Sequence, residues 1–210
     1  SKFIWYLAGC TNSVIQNTRA YNAMADGIII EYGQGNKVIN NYTYDNNKDG
    51  IYASGSEDVI ITGNHSYNNG SNSTGGGIAA SATWGGSVSD NVCYDNTQFD
   101  IILSRGSRYL TVSGNTNGAH ATGQAPIGIY VLGEPMGGTL HGFDYGDGNT
   151  YYGASDSQIV GNNLHGEMRL ELLEGSTVVG NSVNGSNQYG INGIGLTNTT
   201  LVGNNLKNYS

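Results

Sequence analysis

Four side chains that could carry out acid–base chemistry lie in short apolar segments typical of β-strands. Asp100 begins one segment, Tyr130 lies inside another, and Arg169 and Glu171 flank Leu170 in a third. A phenol can take up a proton next to a carboxylate that an arginine neutralises, and two carboxylates several ångströms apart can serve as general acid and base. We therefore consider Asp100, Tyr130, Arg169 and Glu171 as candidate catalytic residues. For Arg169 and Glu171 alone, the alternative is an exposed ion pair of little energetic value.

A glycine-rich segment, residues 133–157, contains a second group of candidates. Aromatic faces pack against the CH groups of sugar rings, carboxylates accept hydrogen bonds from hydroxyls, and long loops on a rigid scaffold are frequent binding sites. The candidate substrate-binding residues, one of them a strand tyrosine outside this segment, are Tyr52, His141, Asp144, Tyr145 and Tyr151. An equally good alternative is a loop that packs against the rest of the protein or against a partner subunit.

The same segment offers candidate ligands for calcium in Asp144, Asp147 and Asn149. Hard cations such as Ca²⁺ prefer clustered carboxylate and amide oxygens. The spacing matches no EF-hand pattern, and an acidic glycine-rich loop can also present such a triple by chance. Calcium is thus the one cofactor for which the sequence suggests ligands.

The element that must position all these residues is a short repeat. A four-residue phrase recurs along the chain: an apolar residue, any residue, then Gly, Asn, Gln or Asp, and finally Asn. Its final asparagines are Asn17, Asn41, Asn64, Asn91, Asn115, Asn162, Asn181 and Asn204. Successive asparagines are mostly about two dozen residues apart, whereas Asn115 and Asn162 are separated by about twice that. Repeats of this length indicate a solenoid, because one unit cannot bury its own apolar face and stacked units can.

A second phrase, typically Gly-Ile-x-apolar, alternates with the first and has the periodicity of a strand. Alternation points one set of side chains inward, from Ile28 through Ile129 to Leu170, and a second set outward. The outward set is Ile29, Tyr52, Ala79, Ile102, Tyr130 and Glu171. Stacking such strands predicts an all-β fold, a single-stranded parallel β-helix of about eight or nine coils. We expect one domain over residues 1–210, with residues 133–157 as a loop insertion or a degenerate coil.

The repeat also predicts which residues meet between coils. Tyr44, Tyr67 and Tyr94 recur three residues after the repeat asparagine and should stack, most simply inside the core. The alternative is a column on the outside, as a platform for sugars or a subunit interface. Cys10 and Cys93 lie several coils apart, too far for a disulfide, and are expected to be buried free thiols. Asp100 is expected to project outward from the same sheet as Tyr130.

The charge balance excludes several classes of partner. The formal net charge is −8 and the sequence pI is about 4.7, with only eight Lys and Arg residues. A nucleic-acid-binding protein needs a basic face, so that function is disfavoured, as is binding to an anionic membrane. No apolar run approaches the length of a membrane span. Among glycans, the acidity favours neutral chains, or uronans bridged by cations.

Three coils carry a family resemblance. Residues 41–46, 64–69 and 91–96 read Asn-Tyr-Thr-Tyr-Asp-Asn, Asn-His-Ser-Tyr-Asn-Asn and Asn-Val-Cys-Tyr-Asp-Asn, and each leads to Gly-Ile or Asp-Ile. They resemble the coils of the pectate-lyase-like right-handed β-helix superfamily, especially mannuronan C5-epimerase modules and phage tailspikes. The resemblance implies a right-handed helix that processes an extracellular or capsular polysaccharide as a lyase, epimerase or hydrolase. The alternative is a non-catalytic, trimeric tailspike or adhesin module that binds surface glycans.

The resemblance also implies a location and partners. A protein of this kind is expected to be secreted or to lie on the surface of a virion, with a polysaccharide as its partner. Solenoid ends expose apolar core and unpaired strand edges, so they need covering. We therefore expect a homotrimer or flanking domains to cap both ends. The outward Ile29 and Ile102 mildly favour an oligomer face.

Overall fold

The computed structural model describes residues 4–71, 75–118, 127–135, 143–144, 150–184 and 189–207. All regular structure in these ranges is β-strand, which confirms the predicted all-β class. In chain order the strands are β1 (Trp5–Ala8), β2 (Val14–Gln16), β3 (Arg19–Tyr21), β4 (Ile28–Glu31), β5 (Lys37–Ile39), β6 (Tyr42–Tyr44), β7 (Ile51–Ser54), β8 (Glu57–Thr62), β9 (His65–Tyr67), β10 (Ile78–Ser81), β11 (Trp84–Ser89), β12 (Val92–Tyr94), β13 (Phe99–Ser104), β14 (Thr111–Ser113), β15 (Thr116–Asn117), β16 (Ile127–Leu132), β17 (Glu134–Pro135), β18 (Phe143–Asp144), β19 (Thr150–Tyr152), β20 (Gln158–Val160), β21 (Asn163–His165), β22 (Glu167–Glu171), β23 (Thr177–Val179), β24 (Ser182–Asn184), β25 (Ile191–Ile194), β26 (Thr200–Val202) and β27 (Asn205–Lys207).

Three parallel sheets wind around a common core. Sheet 1 has the order β1-β4-β7-β10-β13-β16-β22-β25, sheet 2 the order β2-β5-β8-β11-β14-β20-β23-β26, and sheet 3 the order β3-β6-β9-β12-β15-β21-β24-β27. Each sheet receives one strand per coil, which is the topology of a parallel β-helix. From the first to the eighth strand of each sheet the chain completes about 7 turns, so the prediction of eight or nine coils was slightly high.

Buried asparagines tie each coil to the next. Asn41, for example, donates both its backbone N–H and its side-chain Nδ2 to Oδ1 of Asn64, at 2.9 and 3.0 Å. The same pair of bonds joins every following rung, through Asn64, Asn91, Asn115, Asn162, Asn181 and Asn204. Each rung therefore satisfies a main-chain donor at the corner between sheets 2 and 3, where strand pairing is interrupted.

The residue before each rung explains why the repeat phrase has its composition. Asn40, Gly63 and Asp90 have φ values of 53°, 67° and 55°, in the left-handed region that Gly, Asn and Asp tolerate best. Asn17 shares this conformation, with φ of 55°, and Thr18 rather than Asn17 donates to Asn41. The first repeat asparagine is therefore a turn residue and not a rung.

Isoleucines fill the tube as expected, with one change of register. Ile28, Ile51, Ile78, Ile101 and Ile129 pair in sequence along sheet 1 and are fully buried. The next residue in this column is Met168, not the predicted Leu170, which pairs with Val131. Leu172, which strict alternation from Leu170 would also point inward, follows β22 with φ of 54° and lies outside the main core cluster. Arg169 therefore shares the column of Tyr130.

The predicted tyrosine column exists, but it lies on the outside of sheet 3. Tyr21, Tyr44, Tyr67 and Tyr94 stack with ring centroids 4.9–5.0 Å apart and ring planes within 3° of parallel. Tyr21 is 46% exposed and the other three are half-buried, so the core interpretation was wrong. Both cysteines are free thiols, with Cys93 buried and Cys10 half-buried.

The long interval between Asn115 and Asn162 adds no rung. The two asparagines bond directly to each other, and β14 pairs directly with β20. Within the interval, β17, β19 and β18 form a separate antiparallel sheet outside the three parallel ones. The insertion thus begins directly after β16.

The ladder should contribute strongly to stability, and neighbouring asparagines allow a matched test. Asn162 is 1% exposed and bonds to both adjacent rungs and to the Val112 carbonyl, whereas Asn163 is exposed in β21. We expect Asn162→Ala to lower the free energy of unfolding by about 2–4 kcal/mol, because it leaves buried donors and acceptors unpaired. Asn163→Ala should change it by less than about 0.5 kcal/mol. Equal losses in urea unfolding would contradict a dominant role for the ladder.

Candidate functional site

A cleft of about 1070 Å³ runs along the outer face of sheet 1. Its floor comes from the side chains that alternate with the inward isoleucines, namely Ile29, Tyr52, Ala79, Ile102 and Tyr130. Ile29, Ala79 and Ile102 are only 6%, 4% and 7% exposed. These residues face outward as expected, but they form the floor of a concave site and not a flat oligomer face.

Two carboxylates form one wall of the cleft. Asp26 and Asp49 occupy equivalent positions in consecutive coils, each directly before the glycine that leads into β4 or β7. Oδ1 of Asp26 accepts the backbone N–H of Asp49 at 3.0 Å, and Oδ1 of Asp49 accepts that of Gly76 at 2.7 Å. They are 7% and 9% exposed. The pair is thus held rigidly by the main chain of the following coil.

Burial changes the proton affinity of both carboxyl groups. It raises the pKa of Asp49 to about 7, and the nearby charge of Asp26 adds to the effect. Burial also raises the pKa of Asp26, against the lowering effect of its hydrogen bond from the Asp49 backbone. The two carboxyl groups interact electrostatically and titrate as a coupled pair, and the charge of Asp26 favours the protonated form of Asp49. This is the arrangement in which one group can act as acid while the other stays charged.

Other charged groups flank the acidic pair. Tyr6 donates a hydrogen bond from its hydroxyl to Oε2 of Glu31 at 2.8 Å, and this bond raises the pKa of the tyrosine. Lys48 and Arg105 also line the cleft. The cleft therefore combines anionic and cationic side chains with an apolar floor, which suits an uncharged polar ligand better than a polyanion.

Three of the four candidate catalytic residues meet at the far end of the cleft. The hydroxyl of Tyr130 donates to Oε1 of Glu171 at 3.2 Å, and Nε of Arg169 lies 2.7 Å from the same oxygen. The Arg169 guanidinium also lies 5.3 Å from the Tyr130 ring centroid. The Gly133 backbone N–H donates to the other Glu171 oxygen at 3.3 Å. Their catalytic role stays a prediction, but Arg169 is neutralised by Glu171.

The expected outward position of Asp100 is wrong. Its side chain is 0% exposed, and Oδ1 accepts a hydrogen bond from Nδ2 of Asn96 at 2.8 Å. Asp100 occupies the position of Gly50 and Gly77 in earlier coils, where a Cβ points at interior polar groups such as Nδ2 of Asn69. Asp100 lies near the start of β13, and both it and the following Ile101 are fully buried, so strict alternation fails at this end of the strand. Asp100 therefore cannot pair with Glu171 across the cleft.

The candidate substrate-binding residues have different outcomes. Tyr52 lies on the floor of the cleft, half-buried. His141 and Tyr145 lie outside the described residues. For the remaining two, only the strand positions are described. Asp144 of β18 pairs with Thr150 of β19, and Tyr151 of β19 pairs with Phe143 of β18.

Metal binding and membrane insertion receive no support from the described ranges. Within them, no three His, Cys, Asp or Glu side chains gather to hold a metal ion. The candidate calcium ligands Asp147 and Asn149 lie beyond those ranges. The same part of the chain contains no helix of the length and hydropathy needed to cross a membrane.

Sequence reasoning missed Asp26 and Asp49, although a signal was available. Each precedes a Gly-Ile pair, so the repeat places both at one corner in adjacent coils. A carboxylate that recurs at a corner next to the outward face of a strand predicts an acidic wall beside that face.

Comparisons with known proteins agree with this architecture. A family model described as right-handed beta helix region matches residues 5–164. No curated protein matches the chain in sequence. Similar solved structures include the A-module of mannuronan C-5 epimerase AlgE4 from Azotobacter vinelandii (20% identity, TM-score 0.58), the Dettilon tailspike protein (17%, 0.66) and PfbA, a surface adhesin of Streptococcus pneumoniae (13%, 0.68).

These structural matches concern the scaffold. They cover 95%, 93% and 96% of this chain, but only 56%, 40% and 61% of the respective other chains. The chain thus spans about half the length of the solved structures that it resembles. At such low identity, the likeness extends to the fold and not to individual site residues.

The raised pKa of Asp49 should appear in the pH dependence of stability. The folded protein retains a proton up to about pH 7 that the unfolded chain, with a carboxyl pKa of 3.8, has released. The stabilisation is therefore complete below about pH 4 and is lost as pH rises through 7, by at most about 1.4 kcal/mol per pH unit. Asp49→Asn keeps an acceptor for Gly76 and removes this ionisation. We expect the unfolding free energy of the wild type, relative to this variant, to fall between about pH 4 and pH 7.

Urea unfolding across that pH range measures the effect. The matched control is Asp58→Asn, which removes an exposed carboxylate of β8 outside the cleft and should retain the wild-type slope. Parallel pH profiles for the wild type and Asp49→Asn would show that the buried carboxyl ionises normally.

Proposed function

Since this chain belongs to the family of right-handed β-helix proteins, we propose that it binds a glycan in the cleft of sheet 1 and hydrolyses it there. The observation that carries the proposal is the buried pair Asp26 and Asp49 in the wall of that cleft, with a proton affinity suited to neutral pH. Glycoside hydrolysis generally needs two carboxyl groups, one protonated and one ionised.

The geometry suggests how the two carboxyl groups would divide the work. Oδ1 of Asp49 is occupied by the Gly76 N–H, so its other oxygen carries the proton and donates it to the glycosidic oxygen as the bond to the anomeric carbon breaks. Asp26, ionised, bonds to that carbon. Water then displaces Asp26 and returns a proton to Asp49. Groups on consecutive coils lie about 4.8 Å apart, close to the roughly 5 Å separation of enzymes that retain anomeric configuration.

The state of Arg169 argues against a role for this residue in elimination. A lyase needs a cation that is free to neutralise the substrate carboxylate beside the proton to be removed. Arg169 instead pairs with Glu171, which also accepts the Tyr130 hydroxyl. We assign this trio to binding sugar hydroxyls at the end of the cleft, and we assign Tyr52 to stacking on a sugar ring.

A non-catalytic role is the second candidate. Both carboxylates of the cleft also accept main-chain N–H groups from the next coil, and a purely structural role would require only those bonds. In that case the protein would be a glycan-binding module of a tailspike or adhesin, with a trimer as its expected state. Similar structures include a tailspike and a surface adhesin, so a secreted or virion-surface location suits both candidates.

Cleavage of a panel of neutral and acidic bacterial and algal polysaccharides tests the proposal. We expect new reducing ends without absorbance from unsaturated uronates. Because general acid–base catalysis contributes about 10²–10⁴-fold, Asp49→Asn and Asp26→Asn should each lose at least about 100-fold in rate while still binding the glycan. Asp58→Asn is the control and should retain wild-type activity.

The outcomes separate the candidates. Unsaturated products would indicate elimination and would contradict hydrolysis. Binding without any new reducing ends would support the non-catalytic module. Full activity in Asp49→Asn would remove this carboxyl from the mechanism.

A further inference from the structure

The cleft is divided along its axis into two chemically different halves. The carboxylates Asp26, Glu31 and Asp49 belong to the coils of β4 and β7. In the half formed by β13 and β16, the lining is instead dominated by Phe99, Ile102, Ile127 and Leu132. We call these four residues the apolar subsite.

The apolar subsite is a second hydrophobic cluster outside the tube. Phe99 and Ile102 are 6% and 7% exposed and pack with Ala79, and Ile127 and Leu132 pack against them. None of these residues belongs to the core that holds the coils together. The tube is filled without them, and an outward strand position of a solenoid ordinarily carries polar residues. A concentrated apolar surface in a cleft therefore points to a ligand that needs it.

Polar groups lie beside this surface. Ser104 and Gln98 line the same half of the cleft, and Ser81 of β10 lines the neighbouring coil. Pockets for small polar molecules combine a mainly apolar lining with a few polar groups that fix orientation. A purely hydrocarbon ligand would make no hydrogen bonds with these polar side chains. A sugar without an apolar substituent would offer no matching apolar group to the isoleucines. A sugar that carries an apolar group uses both.

We propose that the apolar subsite binds a methyl group on the glycan, either that of a 6-deoxy sugar or that of an O-acetyl ester. This inference rests on the proposed function, in that it assigns a substrate class to the same cleft. In sheet 1, β10 lies between β7 and β13, so the subsite lies two coils, or about 10 Å, along the axis from Asp49. The methyl group therefore belongs to a neighbouring sugar and not to the one whose bond is attacked.

Pairs of small probes that differ only in the methyl-bearing group test the proposal on the wild-type protein. L-Rhamnose is compared with L-mannose, and 6-O-acetyl-D-glucose with D-glucose, by ligand-observed NMR titration. Burying one methyl group is worth about 0.8 kcal/mol, so we expect at least one methyl-bearing probe to bind about fourfold more tightly than its partner. The pair that responds identifies the source of the methyl group.

Variants locate the preference. Ile102→Thr keeps the branched shape and adds a hydroxyl, and it should reduce the fourfold preference to about one. Ile194→Thr is the matched control, because Ile194 lies in β25 of the same sheet, 47% exposed and outside the cleft, and it should retain the preference. Thermal unfolding verifies that both variants fold.

Equal affinities within both probe pairs, or no binding of either methyl-bearing probe at tens of millimolar, would overturn the inference. An undiminished preference in folded Ile102→Thr would overturn it as well. Failure of the proposed hydrolysis is distinguishable, because the binding preference needs no cleavage and should persist in Asp49→Asn.

Discussion

Side-chain capture of main-chain amides between coils is the constraint on which the structure depends. A β-helix must turn three corners per coil, and at each corner the strand ladder stops while buried N–H groups still need partners. Asparagine supplies an acceptor to the preceding coil and donors to the next rung and to a carbonyl, as Asn162 does with Asn115, Asn181 and Val112. Because every rung repeats the same bonds, the coils are forced into register.

The cleft inherits its rigidity from this arrangement. Asp26 and Asp49 accept amides of the following coil, just as the ladder asparagines accept those of the preceding one, yet their carboxyl groups also face the groove. The same corner position that links neighbouring coils by hydrogen bonds therefore carries a carboxylate where it borders the cleft. The cost is burial of ionisable groups, which explains the raised pKa of both. Rigid placement and altered proton affinity come from one feature.

The sequence predicts the scaffold well because its repeat is local and periodic. The strands, the isoleucine column and the tyrosine stack all follow from residues at fixed offsets from the repeat asparagine. The failures concern corners and irregular coils. Strict alternation does not hold at the end of β13 that follows a corner, so Asp100 was expected outside although it bonds to buried Asn96. The pairing of β22 with β16 is irregular, and Met168, two residues before the predicted Leu170, continues the core column. Whether the tyrosines face inward or outward depends on which neighbour, such as Thr43 or Ser66, fills the interior.

The insertion after β16 has a consequence for how such proteins diversify. Asn115 and Asn162 are neighbours in the stack although many residues separate them, so the height of the molecule does not depend on its number of residues. The extra chain leaves the scaffold just beyond Leu132, at the rim of the groove. New material can therefore be added beside a ligand while the axial repeat is unchanged, and evolution can vary recognition without redesigning the support.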